Sequence, residues 1–235
     1  MTVAEIMTEL EVKGSDNIKK IFLKHGVKEP FFGVKIEYLK ALEKKIKKDH
    51  ALALQLYATG NADAMYLAGL ISDDDKMTRK DLQTWAQQAI STNISTYTLP
   101  WVAAGSSLGF ELALQWIEAK EEHIAVAGWA TLSGMAALKE DVELDLVVYK
   151  KLLHRAGAEI HSARNSEKQA MNSFIIAVGT YIVALNEEAK AVADSIGTVR
   201  ADMNGTACKV PLASDYIQKA IDKGIVGRKK KKLKC

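Results

Sequence analysis

Apolar residues recur at helical spacing in almost every segment of this chain, and the breaks between segments carry capping and turn residues. Within residues 32–71, Ile36, Leu39, Leu42 and Ile46 make one stripe, while Lys40, Lys44, Lys45, Lys47 and Lys48 lie off it. That pattern predicts a helix with one buried edge and a basic surround. Leu52, Leu54, Leu56 and Tyr57 continue in a second helix that stops at Gly60, and Asn61 can cap a third. Upstream, two short helices fill residues 2–26, the second opened by Ser15 and closed by Gly26, before Pro30 breaks the next loop. Downstream, helices are predicted over 78–90, 110–119, 122–138 and 142–162, with Pro100 in the first turn of another. Ser166 and Gln169 read as a capping box for an apolar helix through Val183, and Asn186 caps a helix ended by Gly197.

One stretch breaks the helical period. In residues 198–211, Asn204-Gly205 stands between two alternating runs, which predicts a β-hairpin over 199–210. Val199 would face Val210, Ala201 Cys208 and Met203 Thr206, with Arg200 opposite Lys209 on the other side. The rest is all-α. Leu52-Ala-Leu-Gln55 returns as Leu112-Ala-Leu-Gln115, each followed on the next helix by Ala-Gly, as stacked helix pairs in register would produce. The expectation is therefore one α-α solenoid domain over 1–225, with a basic, disordered tail over 226–235.

Composition narrows the classes. Three prolines in 235 residues suit an almost wholly helical chain, and 48% hydrophobic residues can bury a sizeable core. A net charge of +3 is too small to imply a nucleic-acid partner by itself, so the distribution of charge has to. Two cysteines, Cys208 and Cys235, are too few for a disulfide scaffold, and with no signal-peptide pattern in the first residues a cytoplasmic setting is expected. The longest uncharged stretches, 124–138 and 172–185, fall short of the roughly 20 residues a membrane span needs, so no membrane partner is expected.

Candidate chemistry is concentrated in basic residues. Arg200 and Lys209 opposed on a ribbon repel unless a phosphate or acidic partner lies between them. Arg228, Lys229, Lys230 and the lysines after them form a block of like charge that would add phosphate contacts. With Lys40, Lys44, Lys45, Lys47 and Lys48, these are the candidate DNA-binding residues, and Asn204 and Gly205 the hairpin turn. The five histidines include no pair at i, i+4, and there is no phosphate-cradling glycine motif, so neither a metal nor a cofactor is expected.

Phe32-Gly33-Val34, the Lys-rich helix, KKDHALALQLY and a helix ending LAGLI resemble the opening of the AlkD-type DNA alkylation repair family. The resemblance implies a HEAT-like superhelix and removal of alkylated purines from DNA. It also implies a site: a tryptophan and a catalytic aspartate in mid-chain, an arginine on a following helix, and a second tryptophan. A gap-free reading puts these on Tyr97, Trp101, Val126 and Ser173. An indole cannot offset a developing cation, so the scaffold is implied without the glycosylase residues, as in a divergent branch of the AlkF kind. The resulting expectation is a protein that recognises distorted or branched DNA through a basic concave surface and an inserted hairpin. An active alkylpurine glycosylase and a helical-repeat protein-interaction scaffold stay open as alternatives.

Overall fold

The computed structural model describes residues 1–234, and among them it contains thirteen α-helices, short 3-10 and π segments, and no β-strand. Contacts divide the chain into two compact units. The first comprises residues 1–109 with 204–206 and Lys234; the second comprises 110–203 with 207–233. No single helix is long and apolar enough to cross a membrane.

The first unit holds α1 (Val3–Lys13), α2 (Asp16–Lys24), α3 (Ile36–Ile46), α4 (His50–Tyr57), α5 (Ala62–Ile71), α6 (Arg79–Gln88) and α7 (Leu99–Gly105). Its centre is α5, capped as expected by Asn61 and buried along its whole length. A helix of small and apolar residues on every face can be enclosed on all sides, and α3, α4 and α7 pack on it. The polar exception is Asp63. Its carboxylate accepts the backbone N–H groups of Phe32 (2.7 Å), Gly33 (3.0 Å) and Val34 (3.3 Å), clamping the loop before α3 to the central helix. Gly33 is required twice over there: its φ is +79°, and a Cβ would lie 2.7 Å from the Lys19 nitrogen and from the Ser15 oxygen. Burial pushes the Asp63 carboxyl up from its ordinary value, against the pull of the three N–H donors and of Lys19. Tyr57 stacks on Trp85 at 3.8 Å and donates its hydroxyl to the Trp85 oxygen, tying α4 to α6.

The second unit holds α8 (Gly109–Trp116), α9 (Glu122–Leu138), α10 (Leu146–Glu159), α11 (Asn165–Tyr181), α12 (Asn186–Ile196) and α13 (Ala213–Asp222). The buried pair α9 and α11 forms its core, with Trp129 and Phe174 meeting at 5.2 Å. At Gly128 a Cβ would stand 2.7 Å from the Ile117 nitrogen and 2.9 Å from the Ala113 oxygen, so α8 and α9 touch backbone to backbone. Because backbone cannot step aside as a side chain can, Gly128→Ala should cost about 2–3 kcal/mol, read as a lower midpoint in urea unfolding.

Several boundaries differ from the sequence pattern. The helix expected over 142–162 begins at Leu146, because Asp145 caps it by accepting the Val148 N–H, and a 3-10 turn occupies Asp141–Glu143. The Ser166–Gln169 box does not form: the Ser166 N–H goes to Glu122 at 2.6 Å instead. Asn186 lies in the first turn of α12 and donates to the Gly179 oxygen rather than capping.

The expected β-hairpin over 199–210 is the main correction. Asn204 (φ +53°) and Gly205 (φ +72°) do turn the chain, but the flanking runs form no strands. Side chains of α11 anchor them. Asn165 accepts the Asp202 N–H at 2.6 Å and donates to its oxygen at 2.9 Å, and Asn172 donates to the Pro211 oxygen at 2.9 Å. A lone two-stranded ribbon is marginal in water, and opposing Arg200 to Lys209 weakens it further, so the helix-borne anchors win.

The tail also departs from expectation. Residues 227–230 are hydrogen-bonded to the ends of α9 and α11, and the Lys229 side chain is buried. Lys234, in the first unit, donates to Ser72 and to Asp74 (2.6 Å), and burial lowers its pKa and raises that of Asp74.

Candidate functional site

Tyr97 lies in a π-helical turn, Ile94–Thr98, that runs directly into α7. Pro100 explains the wide turn. It has no N–H to give Thr96, and its ring crowds that carbonyl, so the chain bonds one residue further back, Leu99 N–H to Ile94 oxygen. The turn sets Tyr97 half exposed, its ring tilted 39° to that of Trp101 at 6.1 Å. Trp101 in turn meets the buried Tyr66 of α5 edge-on at 5.4 Å. The three rings are uncharged, and none is itself a carboxylate.

The two acids of residues 78–115 each make a contact within their own helix. Asp81 accepts the Thr78 N–H and hydroxyl in the capping box of α6, and Glu111 accepts from Gln115 one turn along α8. Val126 and Ser173 belong to the second unit, where Val126 is buried in α9 and Ser173 is exposed on α11 beside the buried Asn172. Val126 cannot supply the arginine's positive charge, and Ser173 cannot supply the tryptophan's aromatic face.

Among the basic candidates, Lys44, Lys45 and Lys47 are exposed at the end of α3 and Lys40 is half-buried. Lys48 pairs with Asp73 at 3.1 Å, and that hydrogen bond raises the lysine and lowers the aspartate. Arg200 and Lys209 are exposed on the irregular loop, and Arg228 and Lys230 on the tail. Lys229 is withdrawn from solvent, so it cannot reach a phosphate in this conformation.

Sequence reasoning missed the polar cage around Trp129. Its indole N–H points to Glu167 at 3.4 Å, Glu167 takes the Arg164 guanidinium at 2.9 Å, and Arg164 also donates to the Lys120 and Ala119 oxygens. The Arg155 guanidinium lies 6.0 Å from the Trp129 ring centroid, held by Glu118 and Glu159, and those hydrogen bonds raise its already high pKa. The Arg155–Glu159 and Arg164–Glu167 spacings were visible signals. Their shared aromatic partner was not. Among the described residues no cluster of three or more His, Cys, Asp or Glu side chains could hold a metal.

The model of a family described as "DNA alkylation repair enzyme" matches residues 6–189. The chain belongs to the DNA alkylation repair family. Two relatives in it, uncharacterized proteins of Listeria innocua and Listeria monocytogenes, are each 32% identical over 225 residues, 94% of this chain and 97% of theirs. A solved structure is similar along 100% of both chains, with 33% identity and a TM-score of 0.91. It is described as one of a new family of proteins related to the HEAT-like repeat DNA glycosylases with affinity for branched DNA structures. This member of the DNA alkylation repair family therefore has the all-helical HEAT-like fold, and its Phe32-Gly33-Val34 motif is the loop clamped by Asp63.

Proposed function

We propose that this chain binds distorted or branched DNA and does not excise bases. The observation that carries the reading is Trp101, an uncharged indole packed on Tyr66 and Tyr97 where the family resemblance implies an aspartate. The acids of residues 78–115 are Asp81, bonded in its capping box, and Glu111, on α8, so the Tyr97–Trp101 segment itself has no carboxylate to stabilise a developing oxocarbenium ion. The branched-DNA affinity described for the structural relative at 33% identity supports the binding half. Lys40, Lys44, Lys45 and Lys47 of α3, with Arg200, Lys209 and the exposed tail cations, are the groups available for phosphate contacts, each steepening the log–log salt dependence by about 0.9.

The test pairs two measurements on one preparation. Binding to a four-way junction should exceed binding to a duplex of equal length by about tenfold, roughly 1.4 kcal/mol. Single-turnover incubation with DNA containing 7-methylguanine should release base no faster than the spontaneous rate. Release above that rate would restore the glycosylase reading, and equal affinity for both DNAs would remove the branched-DNA reading.

A further inference from the structure

Arg228, Lys229, Lys230, Lys231 and Lys232 put five cations in a row, a pattern that normally repels itself and stays in solvent. Lys229 does the opposite. Its side chain is 9% exposed, and its ammonium donates to Asp141 at 2.8 Å, the Tyr181 oxygen at 2.7 Å and the Ala136 oxygen at 3.0 Å. An ammonium has three protons to give, and here three acceptors receive them.

Two of those acceptors are orphan carbonyls at helix ends, where the negative end of the helix dipole also favours a cation. The neighbouring backbone completes the set. Gly227 donates its N–H to the Thr180 oxygen at 2.9 Å, and Lys230 donates to the Ala137 oxygen at 2.7 Å. Residues 227–230 thus satisfy Ala136 and Ala137 of α9 together with Thr180 and Tyr181 of α11. Asp141 is itself fixed, because its second oxygen accepts the Val183 N–H at 3.0 Å. The Lys230 ammonium lies 5.7 Å from the Tyr181 ring centroid, so the strap keeps its course past the peg.

We propose that residues 227–232 form a fixed strap pegged by Lys229, which displays Arg228, Lys230, Lys231 and Lys232 as an ordered edge for the phosphate backbone of a nucleic acid. The choice of partner rests on the DNA-binding reading above; the strap itself does not. Lys229 is a positioning residue in this scheme. It touches no phosphate and sets where the exposed cations stand.

The decisive variant is Asp141→Asn in the full chain, because two accounts of it differ in sign. If the tail is floating charge, removing a carboxylate raises the positive field and tightens DNA binding. If the tail is pegged, the same change loosens the strap and weakens binding, by about threefold or more to a short fluorescent duplex at physiological salt. Trypsin cleavage within the tail should be slow in the wild type and about tenfold faster in Asp141→Asn, since cleavage follows local opening. Lys229→Met should lose more affinity than Lys231→Met, although each removes one charge. Tighter or unchanged binding by Asp141→Asn, or equal losses in the two lysine variants, would overturn the ordered edge. Equal trypsin rates in wild type and Asp141→Asn would overturn the strap. A wild type that binds no DNA would remove the partner and the DNA-binding reading together, while the protease comparison would still decide the strap.

Discussion

Asp63→Ala should destabilise the first unit by about 3–5 kcal/mol, one of the two largest effects expected of a single change in this protein. The carboxylate is the shared acceptor for the Phe32, Gly33 and Val34 N–H groups, and its removal strands all three. Each stranded donor costs about 1–3 kcal/mol, less than additively because the loop can peel toward water. Asp63→Asn should recover part of the loss, since its one oxygen can still accept. Urea unfolding followed by circular dichroism reads both variants. The pH dependence has a definite sign. Burial raises the folded carboxyl above its unfolded value, so ionising it costs stability as pH rises through that window. The advantage of wild type over Asp63→Asn should therefore shrink with rising pH just above the ordinary aspartate range. An advantage that grew across the same window would show that the N–H donors outweigh burial.

Trp129→Ala should cost a comparable 3–5 kcal/mol in the second unit, by a different route. Trp129 is fully buried, and its removal opens a cavity against Phe174, takes away the surface over which Arg155 lies, and leaves Glu167 with one donor fewer. Trp129→Phe refills most of the volume and should cost about 1–3 kcal/mol, the indole N–H being its main loss. If the indole were a base-stacking group instead, both variants would keep their unfolding midpoints and lose DNA affinity. Because the variants lie in different compact units, two separable transitions would each respond to one of them.

The helices were legible because their signals are local. The stripe of Ile36, Leu39, Leu42 and Ile46, the Asn61 cap and Pro100 in a first turn all specify structure within a few residues. The hairpin failed because Asn204-Gly205 reports only on its own turn. Asn165 and Asn172, which anchor Asp202 and Pro211, lie far away in sequence, and no pattern near the turn encodes them. Lys229 was misread for the same reason: a charge run looks solvated until the carbonyls of α9 and α11 arrive beside it. At the candidate site, the uncharged residue at position 101 could be read from the sequence alone, whereas the π turn that tilts Tyr97 against Trp101 could not.

The Asp63 clamp bears on how a lineage can change. Selection for a folded chain acts on Asp63 and Gly33 whatever the protein does, because losing either undoes a buried loop. The same selection is nearly blind at Tyr97 and Ser173, whose side chains look out to solvent. In any lineage where base excision does not contribute to survival, the two sets drift apart at different speeds. A descendant could lose every trace of the chemistry while staying recognisable, by its opening loop alone, as kin of enzymes.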